Sequence, residues 1–241
     1  MALLELEHVN KRYRRGNREL VALRGVSLEI DNGEVVCVSG ARGSGRTTLL
    51  RVAAGIEAPD EGRVRFAGCD LRTIDHSVRR QLVMCNTRFL RAHGADVTSH
   101  VMFPLMAVRV PSDDAGLRAH RALERVGADH LAFESPESLV PAEQIRVALA
   151  RAIVREPRMM IVDEPTSGVD VLERDPLLSL IQSLAHERGM AVLLSASETG
   201  SVTGADRLLR LSEGELLGRT TAAEPADVIE LRRRSASSES S

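Results

Sequence analysis

A near-continuous apolar run that breaks into glycines and restarts as a helix constrains this chain more than any other feature. Glu34-Val35-Val36-Cys37-Val38-Ser39 reads as a buried strand, Gly40-Ala41-Arg42-Gly43-Ser44-Gly45-Arg46-Thr47-Thr48 as a tight loop, and Thr47 to Ala54 as a helix. Glycines at 40, 43 and 45 let backbone N–H groups turn inward around phosphate oxygens, and a helix start adds partial positive charge. Strand, glycine loop and helix in that order form the context in which a Walker A match carries weight. Its partner appears far downstream. Met159-Met160-Ile161-Val162-Asp163-Glu164-Pro165 is a four-residue apolar run ending in two carboxylates, the Walker B pattern. Thr47 places a hydroxyl at the magnesium position and Thr48 supports the phosphates, Asp163 is suited to hold magnesium through water, and Glu164 to act as general base.

Length and composition narrow the remainder. The 241 residues suffice for one substantial core, and a net charge of −2 gives no reason to expect a nucleic-acid partner. Aromatics make up 2% with no Trp, so the core must be aliphatic. Cys37, Cys69 and Cys85 are too widely spaced for a metal or redox pair, and read as small core hydrophobes in a reducing compartment. No stretch reaches the roughly 18–20 apolar residues of a membrane span. Lys11 is the only lysine in a chain rich in arginine.

Alternation predicts strands at Leu4 to Val9 and Val26 to Ile30, with Asp31-Asn32-Gly33 as the turn before the buried strand. Further strands are expected at Gly62 to Phe66, Gln81 to Cys85, Met159 to Val162, Ala191 to Ser195 and Arg207 to Leu211. Between about residues 87 and 156 the character turns helical. One helix opens at Ser112-Asp113-Asp114 and runs through Leu117, Leu123 and Val126; another runs from Ala142 to Val154 and stops before Pro157. A helix over Val171 to Glu187 separates two of the later strands. The end, Arg232-Arg233-Arg234-Ser-Ala-Ser-Ser-Glu-Ser-Ser, is polar and of low complexity.

Together with Ser167-Gly168-Val169-Asp170, Leu23-Arg24-Gly25-Val26-Ser27-Leu28 and Glu143-Gln144-Ile145-Arg146-Val147-Ala148-Leu149-Ala150-Arg151-Ala152, these motifs make roughly residues 3 to 220 resemble the ATP-binding subunit of an ABC transporter. Val101-Met102-Phe103-Pro104-Leu105 and the overall length most resemble the lipoprotein-release, macrolide-export and cell-division subgroup. The resemblance implies an α/β fold: a RecA-like P-loop NTPase core with a mainly parallel sheet, an N-terminal antiparallel β patch and an inserted helical subdomain. The nucleotide-binding domain would span 1–220, with its core at about 1–86 and 157–220 and its helical subdomain at about 87–156, leaving 221–241 as a C-terminal helix or disordered tail. ATP and magnesium are the implied cofactors. An integral membrane subunit and a second nucleotide-binding domain, alike or different, are the implied partners. Location would be cytoplasmic, at the inner face of the cell membrane through that partner.

The family's functional positions, carried over singly, show departures. Tyr13, the one tyrosine, matches the aromatic that stacks on adenine, although it also suits a partly buried strand position. Arg46 replaces the phosphate-binding lysine. Asn86 replaces the glutamine of the Q-loop and is one methylene shorter. Leu139-Val140-Pro141-Ala142-Glu143 stands where the signature Leu-Ser-Gly-Gly-Glu/Gln is expected. That costs a serine hydroxyl at 140 and a backbone N–H at 141, and Ala142 adds a methyl group where close approach is needed. Ser197 replaces the switch histidine, while Ser167 to Asp170 keeps the D-loop. ATP sites in this family lie between one chain's Walker motifs and the other's signature, so both sites are compromised in any pairing.

Three functions follow as expectations. The first is an ATP-binding subunit with impaired hydrolysis, acting as a nucleotide-gated or structural partner of a membrane subunit. The second is a working transport ATPase that tolerates the substitutions, which retention of Glu164 favours. The third is a soluble regulatory or scaffold P-loop protein. Apolar residues between Val97 and Val110 weigh against the third if they form a docking surface, and are neutral if they pack in the core.

Overall fold

The computed structural model describes residues 2–16, 18–85, 96–197 and 204–221. In chain order the elements are β1 (Leu4–Arg15), β2 (Arg18–Ile30), β3 (Val35–Ser39), α1 (Arg46–Ala53), β4 (Glu61–Phe66), β5 (Cys69–Asp70), α2 (His76–Arg79) and β6 (Leu82–Cys85). They continue with α3 (Val97–Met106), α4 (Ser112–Arg125), a 3-10 turn at Asp129–Leu131, α5 (Pro141–Ile153), β7 (Met159–Val162), α6 (Val171–Arg188), β8 (Ala191–Ala196), β9 (Arg207–Ser212) and β10 (Glu215–Thr221).

Two sheets result. A four-stranded antiparallel sheet has the order β2-β1-β4-β5, and a six-stranded sheet the order β10-β9-β3-β8-β7-β6. The inner pairs β9–β3, β3–β8, β8–β7 and β7–β6 are all parallel, and β10 alone runs antiparallel at the edge. Parallel strands are buried on both faces, and here the two-residue period divides each strand cleanly. Val36, Val38, Met159, Ile161, Ala191 and Leu193 pack with α1 and the antiparallel sheet. Their neighbours Val35, Cys37, Met160, Val162, Val192 and Leu194 pack with α3 to α6. The helices between β6 and β7 therefore share a continuous core with one face of the large sheet.

The α/β architecture expected from the motifs is the one observed, and the strand and helix positions agree closely. Four details differ. The first two strands extend to 12 and 13 residues, because each continues into a long hairpin paired as far as Arg15 and Arg18. Weak periodicity hid the short α2 and β5, and β10 as well. Leu117 does not belong to the buried stripe of α4: it is 57% exposed, and Ala115, Ala119, Ala122 and Leu123 face the core instead. The segment from Val97 to Val110 divides its apolar residues, burying Val97, Val101 and Leu105 while exposing Phe103, Met106 and Val108. The polar tail expected from 221 onward falls, after Thr221, outside the described residues.

Cys37 and Cys85 sit in the core, where burial pushes both thiols up to about 12, whereas Cys69 is exposed. The thiolate is the reactive form. A thiol reagent near pH ~8 is expected to modify Cys69 alone in the folded protein and all three cysteines in denaturant, as read by mass spectrometry. Rapid modification of Cys37 under native conditions would mean that the strand beneath the glycine loop is not packed as described.

Candidate nucleotide site

Parallel pairing assembles the site. Val38 is level with Ser195 across β3–β8, and Val162 with Leu194 across β8–β7. The strand ends therefore release the glycine loop after Ser39, and Asp163 and Glu164 after Val162, on one edge of the sheet. Ligand sites of open parallel sheets form at this C-terminal edge.

Two glycines of the loop are required by geometry. Gly45 has φ +106°, and a Cβ there would lie 2.2 Å from the Ala22 carbonyl oxygen. A Cβ on Gly40 would meet the Leu211 carbonyl oxygen at 2.4 Å and Ser44 Oγ at 2.6 Å. The loop is thus pressed against β2 and β9, and it is tied back by the Gly214 N–H donating to the Ser44 carbonyl at 3.0 Å. Ala41, Arg42 and Gly43 are exposed at its crest, and Thr47 is exposed at the first turn of α1. Ser44 and Arg46 are buried, yet Ser44 Oγ and Arg46 Nη1 have no hydrogen-bond partner. Buried polar atoms left without partners are costly, so two such atoms on one loop mark where a polar ligand belongs.

Ser195 organises the opposing wall. Its hydroxyl donates to Asp163 Oδ1 at 2.6 Å, and its Oγ accepts the Glu164 N–H at 2.9 Å. That bond holds Glu164 at φ +45°, a left-handed conformation uncommon for a residue with a Cβ. The Glu164 carboxylate points back across the loop, with Oε1 2.7 Å from Arg46 Nη2. Arg46 is 7% exposed and Glu164 37%. The sequence does not predict this ion pair, since it depends on the pairing of β3, β8 and β7 across which the two residues meet.

Tyr13 lies on β1 beside the loop. Its hydroxyl is 3.4 Å from Thr48 Oγ1 and donates a short hydrogen bond to Glu57, and Lys11 Nζ stands 5.8 Å from the ring centroid. Partial burial, followed by the Glu57 hydrogen bond, raises its phenol above the usual tyrosine value. The structure thus brings Tyr13, residues 40–48, Asp163 and Glu164 together. Ser167 is tied to the same turn, its N–H donating to the Glu164 carbonyl at 3.0 Å, and Gly168 has φ +76°. Val169 is buried, and Asp170 caps α6 by accepting from the Leu172 N–H at 2.9 Å.

The 139–143 segment is placed elsewhere. It forms the entry to α5, and among the described residues no hydrogen bond or ion pair joins it to residues 40–48. Val140 is 55% exposed with no side-chain cap, Pro141 opens the helix, and Glu143 compensates by accepting the Val140 N–H at 3.0 Å. Leu139 is buried, and its carbonyl accepts from Gln144 Nε2 at 2.8 Å. Ser197 is exposed just beyond β8. Asn86 lies outside the described residues.

The residues present fit a nucleotide and a magnesium ion. The unpartnered Ser44 Oγ and Arg46 Nη1 suit phosphate oxygens. Thr47 is exposed beside them, and Ser195 engages only one oxygen of Asp163. Among the described residues no cluster of three or more His, Cys, Asp and Glu could hold a metal. A cation shared by one hydroxyl, one carboxylate and phosphate oxygens is consistent with that.

Similarity to known proteins agrees with this geometry. Residues 23–167 match the family described as ABC transporter. The chain is 33% identical over 221 residues to the lipoprotein-releasing system ATP-binding protein LolD of Pseudomonas fluorescens, covering 90% of this chain and 97% of that one. It is 31% identical over 227 residues to the methionine import ATP-binding protein MetN of Escherichia coli, covering 92% of this chain and 66% of the relative. In fold it matches the dimeric structure of MJ0796, a bacterial ABC transporter cassette, with a TM-score of 0.81 at 24% identity, covering 90% and 98% of the two chains. CbiO1 from Clostridium perfringens, part of the ABC transporter complex cbiONQ, superposes with a TM-score of 0.79 at 26% identity, covering 91% of this chain and 88% of that one.

Removing the Ser195 hydroxyl leaves the Glu164 N–H and Asp163 without their shared partner. Ser195→Ala is expected to destabilise the fold by about 1–3 kcal/mol, read as a lower denaturant midpoint with unchanged slope. A midpoint equal to that of the native chain would show that the hydroxyl does not hold this wall.

Proposed function

The chain belongs to the ABC transporter family, and from that premise we propose that it binds ATP and magnesium as the ATP-binding subunit of an ABC-type membrane complex, and that its hydrolysis is impaired. The observation that carries the second part is the Arg46–Glu164 ion pair. A general base must be aimed at the proton it removes, and a carboxylate whose Oε1 is held by a guanidinium at 2.7 Å must turn or break that ion pair to be aimed at a water behind the γ-phosphate. Surface ion pairs are worth about 0–1 kcal/mol, and loss of one partner from a buried pair about 3–5 kcal/mol. With one partner buried and the other partly exposed, this pair falls between those limits.

The remaining roles are proposed from the family resemblance. Backbone N–H groups of residues 40–48, with Ser44 and Arg46, would hold the phosphates, and the Tyr13 ring would face the base. Thr47 and Asp163 would hold magnesium, which supplies charge neutralisation at the phosphates when bound. Asn86 and Ser197 would stand at the relay and γ-phosphate positions. Val140, Pro141 and Ala142 would meet a second nucleotide-binding domain with neither hydroxyl nor free N–H at the first two positions. The D-loop, Ser167 to Asp170, would line the same contact.

Phe103 and Met106 on α3 and Val108 just beyond it are each exposed, which supports docking of a membrane subunit there. Among the described residues no helix is long and apolar enough to cross a membrane. A place at the cytoplasmic face of the cell membrane would come through that subunit. On this reading the chain divides into a RecA-like core at about 1–86 and 157–220 and a helical insert at about 87–156.

Retention of Glu164, with its backbone oriented by Ser195, favours a second reading in which a partner releases the ion pair and turnover is normal. The test is calorimetric titration with magnesium and ATP, beside phosphate release, for the native chain and Arg46→Lys. Saturable binding is expected, with release at least about tenfold slower than in the lysine variant, a difference of about 1.4 kcal/mol in barrier. Fast native turnover that vanishes in Glu164→Gln would establish the second reading instead. Absence of binding in both proteins would refute the assignment as a nucleotide site.

A further inference from the structure

We infer, resting on the nucleotide-site reading above, that this loop discriminates by phosphate number: with the Arg46–Glu164 bridge closed it takes a nucleoside diphosphate, and it admits a triphosphate only by breaking the bridge. In a P-loop the cation at position 46 addresses the β- and γ-phosphates, and the carboxylate after the magnesium aspartate addresses the water behind the γ-phosphoryl group. The space between residues 46 and 164 is therefore where a third phosphoryl group and its attacking water belong. Here that space is spanned directly. Arg46 Nη2 and Glu164 Oε1 are 2.7 Å apart, which leaves no room for either.

The other arm of the same guanidinium is available. Nη1 is buried and unpartnered, as is Ser44 Oγ two residues earlier. Both Ser44 and Arg46 are more than nine-tenths buried, at 6% and 7% exposure. A terminal phosphate seated on the loop supplies the acceptors that these two atoms lack. Arginine, being forked, can donate to that phosphate through Nη1 and keep Glu164 on Nη2, which a single ammonium centre cannot do with the same geometry.

Charge points the same way. The bridge neutralises Glu164, whereas opening it to seat a γ-phosphate frees a carboxylate beside a new anion, and like charges at close range repel. Glu164 is also anchored from behind, since Ser195 Oγ accepts its N–H at 2.9 Å and binds Asp163 with its own hydrogen. Opening therefore falls on the side chains, chiefly on a buried arginine.

The test is titration of the native chain, in magnesium, with ADP and with a non-hydrolysable ATP analogue, repeated on Glu164→Gln and Arg46→Lys. The native chain is expected to bind ADP at least about tenfold more tightly than the analogue, and Glu164→Gln to tighten the analogue about tenfold while moving ADP by less than about threefold. Arg46→Lys is expected to narrow the native ratio. Equal native affinities would overturn the inference, as would a preference for ADP that survives unchanged in both variants, and either result would leave the nucleotide-site reading intact. Failure of all three proteins to bind either nucleotide would remove that reading, and the inference with it. The native ratio needs no substitution, so equal native affinities would overturn the inference even where a variant misfolds.

Discussion

The site rests on one side chain between two strands. Ser195 sits on β8, level with Val38 of β3 and one residue past the Val162–Leu194 pair, as Asp163 is on β7's side, and its hydroxyl joins Asp163 to the backbone of Glu164. Because β8 separates the loop strand from the carboxylate strand, the distance between loop and carboxylates is set by parallel pairing. Ser195 then sets the direction of Glu164 by holding it at φ +45°. A residue in that conformation costs of order 1–3 kcal/mol, and it persists because the buried bond and the strands around it leave no cheaper arrangement.

Packing from behind makes the loop equally unyielding. Gly45 and Gly40 lie so close to the Ala22 and Leu211 carbonyls that a methyl group at either place would collide with backbone. The antiparallel sheet and β9 thus act as a mould for the glycine loop. A loop held on one side and a carboxylate held on the other leave only side-chain length to decide what crosses the gap. Arginine crosses it.

Much of this was legible in the sequence, for identifiable reasons. Residues 35–39 and 159–162 are short, wholly apolar and followed by special chemistry, so their strands and the motifs at their ends could be read directly. Period-two division of Val35 to Val38 between two cores follows from the same run. Leu117 misleads because helical spacing is equally satisfied by the small alanines at 115, 119 and 122, which are the residues that enter the core. Short elements such as α2 and β10 have too few turns or alternations to produce a pattern. The Arg46–Glu164 contact was illegible for another reason. Both residues stand out in the sequence, but a bond between positions so far apart in the chain depends on the separation of β3 and β7, which no local pattern carries.

A chain with one lysine and many arginines invites the view that Arg46 reflects nothing but composition. Geometry makes the origin of the substitution secondary. At an exposed site an arginine for a lysine exchanges one solvated cation for another, with little consequence. At position 46 the side chain is buried, faces a carboxylate whose backbone is already fixed, and has a second arm with no partner. There the arginine bridges to Glu164, and on the proposed reading that bridge spans the reaction space. On the same reading, Val140 and Pro141 lack a hydroxyl and an N–H, and Ala142 adds a methyl group, on the surface that would close over a γ-phosphate in a partner's site. On the proposed reading both alterations bear on the third phosphate and leave the glycines of the loop in place, so holding a nucleotide and acting on its last phosphate would be separable within one fold.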